Sequence, residues 1–190
     1  MSTYRGYRFP LKQARGIRML VLDVDGVLTR GDIIMRHDGQ EIKAFNVRDG
    51  HGIKMLQRAG IEVAIITGRT SQVVAARARD LGIDHCIQGC LDKSEGLQRL
   101  LEACGLAAED CAFMGDDIID LLPMRRCRLA LAPSDAHLPV RRSADWVSGF
   151  RGGEGAVRQA AEALILANGA WRRVIEDRYG VAPEACGWEV

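Results

Sequence analysis

Three things are scarce in this sequence, and each scarcity removes a class of function. Net charge is the first: 26 Lys+Arg stand against 25 Asp+Glu, leaving +1. The chain therefore has no charge surplus for holding a nucleic acid or an anionic membrane as its main partner. Arginines do gather at Arg125, Arg126 and Arg128 and at Arg141 and Arg142, a pattern that reads as solvated surface. Cysteine pairing is the second. The six cysteines (Cys86, Cys90, Cys104, Cys111, Cys127, Cys186) include no CxxC and no zinc-like spacing with histidine. Several sit inside apolar runs, where a free thiol behaves as a small hydrophobe. Long apolar runs are the third: no stretch approaches the ~20 residues of a membrane span. Met1 to Gly16 has basic residues but no apolar h-region, so it does not read as a secretory signal. The expectation is a soluble, reduced, cytoplasmic protein. With 190 residues and 47% hydrophobic content, it is long enough for one domain with a sizeable core.

What is present is organised around Ile17 to Thr29. An apolar, β-favouring run ends abruptly at Asp23-Val24-Asp25-Gly26, and such a run reads as a strand buried on both faces. If the extended form persists, Asp23 and Asp25 face the same side. Two close carboxylates raise each other's pKa unless a cation intervenes, so the pair calls for a metal, a lysine or both.

Further along, Asp38-Gly39 between two β-prone segments predicts a hairpin within residues 30–47. Asn46 to Gly52 leads into a helix stopping near Gly60. A strand over Ile61–Ile66 ends in Thr67-Gly68-Arg69, and Ser71 or Thr70 caps a helix that runs to about Leu81, with Gly82 closing it. Then come a strand at His85–Gln88, a helix opened by Leu91-Asp92-Lys93-Ser94 and ending near Gly105, and a strand at Cys111–Met114 running into Gly115-Asp116-Asp117. A strand at Arg128–Ala132, a short helical stretch through Arg142, an edge strand at Asp145–Val147 and a helix from Ala156 to about Ala167 complete the pattern. Regular alternation predicts an α/β fold: one doubly wound, Rossmann-like parallel sheet with helices on both faces. The segment from 168 to 190 is the least regular, and its Trp171 and Trp188 point to docking onto something.

Ligands of such sheets bind beyond the carboxyl ends of the strands. Asp23 and Asp25, Thr67, Lys93, Asp116 and Asp117 all fall there. Each alone has an ordinary explanation: Thr67-Gly68 fits a turn and helix cap, Lys93 a solvated helix residue, and Gly115-Asp116-Asp117 a turn with an N-cap. Together they supply a nucleophile, an acid, a hydroxyl donor, a cation and a third acidic point, the inventory for phosphoryl transfer. An oxygen-only ligand set suits Mg²⁺.

These residues resemble the four motifs of the haloacid dehalogenase superfamily of phosphatases. Ala44 to Gly50, Ala64 to Arg69, and Gly152-Gly153 with Gly155 to Arg158 further resemble its cap-less branch, the 3-deoxy-D-manno-octulosonate 8-phosphate phosphatases, over about residues 17–167. The resemblance implies a small β-hairpin insertion instead of a cap domain, and a tail (168–190) of unassigned role. It implies that Asp23 attacks phosphorus and ligates Mg²⁺, that Asp25 is the acid and base with its carbonyl on the metal, and that Asp116 is the third ligand. Asp117 or Asp120 would support the ligands from behind, while Thr67 and Lys93 hold the phosphoryl oxygens. Asn46, Val47, Arg48, Asp49, Gly50, Lys54, Arg69 and Arg77, with Asp25 and Lys93, would line the pocket for a small phosphorylated keto-sugar acid, whose carboxylate suits arginine. A homotetramer whose hairpins complete neighbouring sites is implied as well.

One position departs from the family pattern. Glu154 stands where Arg or Lys is common, as in phosphatases of the nine-carbon 2-keto-3-deoxynononate 9-phosphate, whereas Arg48 and Arg69 fit the eight-carbon pattern. A receiver domain of a signalling pathway is the rival of another class, with a similar sheet, acceptor aspartate, threonine, lysine and Mg²⁺. The order here, with the acceptor on the first long strand and Gly-Asp-Asp after the lysine, argues against it. A non-catalytic scaffold on this fold is disfavoured because each catalytic position carries the required chemistry.

Overall fold

The computed structural model describes residues 3–4 and 7–189. Strands β1 (Thr3–Tyr4) and β2 (Tyr7–Arg8) and helix α1 (Leu11–Ala14) precede β3 (Met19–Leu22). There follow β4 (Ile34–Met35), β5 (Glu41–Ile42), α2 (Val47–Ala59), β6 (Glu62–Ile66), α3 (Gln72–Leu81) and β7 (His85–Ile87). Next come α4 (Lys93–Cys104), β8 (Cys111–Met114), α5 (Leu121–Arg126), β9 (Leu129–Ala132), α6 (Leu138–Ser143) and β10 (Trp146–Val147). The chain closes with α7 (Ala156–Ala167), α8 (Asp177–Tyr179) and β11 (Trp188–Glu189).

Six strands form one parallel sheet in the order β10-β9-β8-β3-β6-β7. The most apolar strand, β3, sits inside it and is buried at every position. Because side chains alternate, β3 serves two cores at once. Leu20 and Leu22 join the layer formed with α1, α2, α3 and α7, while Met19 and Val21 join the layer with α4, α5 and α6. This is the doubly wound arrangement expected from the alternation. Helices α2, α3 and α4 stop at Gly60, Gly82 and Gly105, as the sequence predicts. The hairpin forms from β4 and β5 with Ile34 opposite Ile42, and Arg36 and Gln40 close its turn through a 2.8 Å backbone hydrogen bond.

Two parts went unforeseen. Helix α5 carries Pro123 in its first turn, where a missing N–H costs nothing. The chain termini also meet: β11 and β2 flank β1 in a small antiparallel sheet. The tryptophans of the tail dock on the domain itself. Trp188 is fully buried, donates from Nε1 to Glu162 of α7 at 3.1 Å, and meets Phe9 edge-on at 6.2 Å between ring centres. Trp171 is also buried and donates to the Val181 carbonyl at 3.0 Å.

Candidate active site

Register alone assembles the site. Leu22 lies opposite Ile65 on one side and Met114 on the other, so Asp23, Thr67 and Gly115-Asp116 leave the sheet at one edge. The Asp23 amide holds on to Met114 O at 3.1 Å, but the chain then turns, with Val24 O accepting from the amides of Val27, Leu28 and Thr29. The extended form thus ends at Asp23, and the two aspartates meet different partners.

Asp23 faces a buried cation. Lys93 begins α4 behind the N-cap Asp92, whose carboxylate accepts from the amides of Ser94 and Glu95, and this aims the lysine inward. Its ammonium lies 2.9 Å from Asp23 Oδ1 and 2.6 Å from Asp120 Oδ1, with the Lys93 side chain wholly buried. Burial pulls the lysine pKa down, but the charges of Asp23 and Asp120 outweigh it and hold the group above its ordinary value. Asp120 uses its other oxygen to accept from the amides of Asp116 and Asp117 at 3.1 and 3.2 Å. It therefore fixes the Gly115-Asp116-Asp117 turn to the lysine. Asp117 points outward and accepts from the Ile118 amide at 2.7 Å.

One lysine does not satisfy this cluster. Carboxylate oxygens of Asp23, Asp116 and Asp120 lie within 4.8 Å of one another. Burial pushes the Asp23 carboxyl up to about 6. Burial and the charges of Asp23 and Asp120 push Asp116 up to about 8. Asp116 Oδ1 is buried with no hydrogen-bond partner. A buried orphan acceptor among crowded carboxylates is the setting an oxygen-ligated divalent cation fits, and the set of donors is of the hard type that Mg²⁺ takes. Backbone space is reserved beside it. Gly26 turns at φ +91°, and a Cβ there would collide with the Asp116 carboxylate. Gly152 packs so closely on the Gly26 carbonyl that a Cβ would overlap it, which brings the 152–155 loop over the site.

Asp25 occupies a separate charged group. Lys43 pairs with Asp25 and, at 3.2 Å, with Glu41, and its side chain is 2% exposed. Arg69 reaches Asp25 at 3.8 Å and Glu41 at 2.8 Å. Thr67, buried at the end of β6, stands two residues before this arginine. Lys43 and Glu41 were missed by the sequence reading. The signal was there: Glu41 and Lys43 sit at i and i+2 with Ile42 between, so they share one face of the hairpin strand.

The remaining predicted pocket residues divide. Asn46 caps α2 by accepting from the Arg48 amide at 2.8 Å and donates to Gly153 O at 3.1 Å; Val47 and Arg48 are exposed beside it. Asp49 is buried and accepts from the amides of Gly155 and Arg158 at 3.3 and 2.8 Å, tying α2 to the start of α7. Gly50 leaves room for the Arg77 guanidinium. Arg77 pairs with Asp80 at 2.5 Å and covers the Phe45 ring at 5.8 Å. Lys54 lies beside Gly82, so the structure does not bring it or Arg77 to the carboxylate cluster. Glu154 pairs with Arg30 at 3.0 Å.

Comparison with known proteins places this geometry in context. A model of haloacid dehalogenase-like hydrolases matches residues 46–128. The chain is 46% identical over 159 residues to the 3-deoxy-D-manno-octulosonate 8-phosphate phosphatase of Escherichia coli, covering 84% of this chain and 85% of that one. The crystal structure of the enzyme of that name from Yersinia pestis superposes with a TM-score of 0.83 at 42% identity, covering 84% of this chain and 86% of the other. The Moraxella catarrhalis enzyme, solved with magnesium, phosphate and the octulosonate sugar, superposes with a TM-score of 0.86 at 38% identity, covering 88% and 97%.

Proposed function

Because the chain belongs to the haloacid dehalogenase-like hydrolases, and among them to the 3-deoxy-D-manno-octulosonate 8-phosphate phosphatases, we propose that it hydrolyses that octulosonate phosphate with Mg²⁺ as its metal. The observation that carries the reading is the meeting of Asp23, Lys93, Asp116 and Asp120 at the sheet edge where Thr67 also emerges.

The residues divide the chemistry between them. An Asp23 carboxylate oxygen attacks phosphorus in line as the bond to the sugar oxygen breaks, and Asp25 gives its proton to that oxygen. The same Asp25 then takes a proton from a water that attacks the aspartyl phosphate, which releases phosphate and restores Asp23. Thr67 donates its hydroxyl to one phosphoryl oxygen and Lys93 places its ammonium against another, as it already does against Asp23. Bound Mg²⁺, held by Asp23, Asp116 and the Asp25 carbonyl, supplies positive charge to the phosphoryl group. Asp120 keeps Lys93 and the Asp116 turn in place, and Asp117 caps the turn that follows. Lys43 and Arg69 hold Asp25, and with Arg48 they offer cations to the sugar's carboxylate. Asn46 and the first turn of α2 (Val47, Asp49 and Gly50) shape the floor beneath it, Arg77 of α3 packs against Gly50 there, and Lys54 stands further along α2 beside Gly82.

Assembly belongs to the same reading. Ile33, Ile34, Met35 and Ile42 of the hairpin and Leu91, Ile118, Ile119 and Leu122 of the rim are exposed apolar side chains. A homotetramer in which hairpins cover neighbouring sites would bury them and keep bulk water out. Full activity from a sedimenting monomer would rule this out. The cytoplasm suits the six free thiols, and no helix among the described residues is long and apolar enough to cross a membrane.

Substrate length is tested by phosphate release from the eight-carbon and nine-carbon phosphates side by side, with and without Mg²⁺. The Glu154–Arg30 pair neutralises the one departure from the family pattern, so Mg²⁺-dependent preference for the eight-carbon ester is expected. Preference for the nine-carbon ester would move the assignment to that substrate.

A further inference from the structure

At the amino edge of the sheet, across the length of β6 (about 13 Å) from Thr67, three side chains converge that phosphate hydrolysis does not use. Glu62 opens β6, His85 opens β7 and Cys104 closes α4. One ligand atom from each lies within 4.8 Å of the other two. Cys104 Sγ is 3.3 Å from His85 Nε2. The Glu62 carboxylate has no hydrogen bond or ion pair among the described residues. A recess bordered by Gln57, Glu62, Asp84 and His85 opens the group to solvent.

We propose that Glu62, His85 and Cys104 form a second divalent-metal site, distinct from the carboxylate cluster and selective for Zn²⁺ over Mg²⁺. Sulfur, imidazole nitrogen and one carboxylate are borderline-to-soft donors, a set that suits Zn²⁺ or Co²⁺ and that Mg²⁺ avoids. Bonds of about 2.3 Å to sulfur and about 2.0 Å to nitrogen at a tetrahedral angle place those two atoms about 3.5 Å apart. The observed 3.3 Å contact opens to that separation with a shift of a few tenths of an ångström. Water entering from the recess completes four-coordination.

Without metal, burial and the Glu62 charge hold the Cys104 thiol above its ordinary pKa. Metal binding therefore displaces the thiol proton to solvent, one per ion bound. The ion would clamp the starts of two neighbouring strands to the end of α4, stiffening the sheet at the edge opposite the catalytic one.

The spectroscopic test uses Co²⁺ added to metal-free protein in the presence of excess Mg²⁺. Thiolate-to-cobalt charge transfer in the near ultraviolet is a signal that an oxygen-only site cannot give. The expected result is a band saturating at one Co²⁺ per chain, bleached by Zn²⁺, absent in Cys104→Ser and His85→Gln, and retained in Asp23→Asn. Zn²⁺ should also raise the melting temperature of Asp23→Asn but not of the Asp23→Asn/Cys104→Ser double variant, and the metal-free melts report that each variant folds. A wild-type protein with no thiolate band, or a band that survives in Cys104→Ser, would overturn the proposal.

Discussion

Replacing Lys93 by methionine keeps the shape of the buried side chain and removes its charge. The ammonium sits between Asp23 at 2.9 Å and Asp120 at 2.6 Å with no solvent exposure, so the variant leaves two carboxylates buried without a counter-ion. Breaking a buried pair from one side costs about 3–5 kcal/mol, and at this chain length each kcal/mol is worth about 2–4 °C, so the melting temperature should fall by roughly 6–20 °C. Acidity separates charge from packing. A carboxylate whose folded pKa exceeds its unfolded one binds more protons when folded, so stability drops as pH rises from the unfolded value toward the folded one. With the lysine present Asp23 is already pushed up to about 6; without it the range extends higher. The deficit should therefore widen between about pH 5 and pH 8 and close on acidification. Added Mg²⁺ should recover more of the loss in the variant than in wild type, while phosphatase activity stays lost. Thermal melts across pH, with and without Mg²⁺, decide the matter. A variant melting with wild type at the alkaline end, or a deficit indifferent to pH, would refute the electrostatic account of Lys93.

Other outcomes follow from the same geometry. Asp116→Asn removes one of three crowded charges, so the metal-free protein should melt higher while calorimetric Mg²⁺ affinity collapses; unchanged affinity would remove Asp116 from the metal. In metal-free wild type, Asp23 at about 6 and Asp116 at about 8 predict stability falling as pH rises from about 4 to about 8, and flattening of that slope by Mg²⁺. Lys43→Met frees Asp25 and removes a cation from the pocket, so KM should rise for the sugar phosphate; an unaltered KM would confine Lys43 to hairpin packing. Trp188→Ala should cost about 3–5 kcal/mol in denaturant unfolding, and a neutral result would show that the tail contributes nothing to the core.

The sheet and its carboxyl-edge residues were legible because both signals are local. Buried parallel strands are continuous apolar runs, Asp23, Thr67 and Asp116 stand just past their ends, and Lys93 opens the helix that follows β7. What escaped depends on distant parts of the chain. Lys43 matters only because the hairpin folds back on Asp25, and β1 and β11 pair across the whole sequence. The choice between Asp117 and Asp120 turned on a 3₁₀ turn (Ile118–Asp120) that buries the second and exposes the first. Asp49 reads as a loop residue in sequence, yet it is buried as an acceptor for the first amides of α7. The cysteine spacing likewise gave no sign of Cys104 beside His85, because the two stand 19 positions apart in the chain.

The central claim is that Asp23 becomes phosphorylated in each turnover. Acid quenching of the enzyme within the first turnover on the octulosonate phosphate, followed by peptide mass analysis, tests it directly. The account predicts a phosphoryl increment on the peptide bearing Asp23, prolonged in Asp25→Asn and absent in Asp23→Asn. Turnover without a phosphorylated Asp23 at any quench time, accompanied by substantial activity in Asp23→Asn, would contradict it.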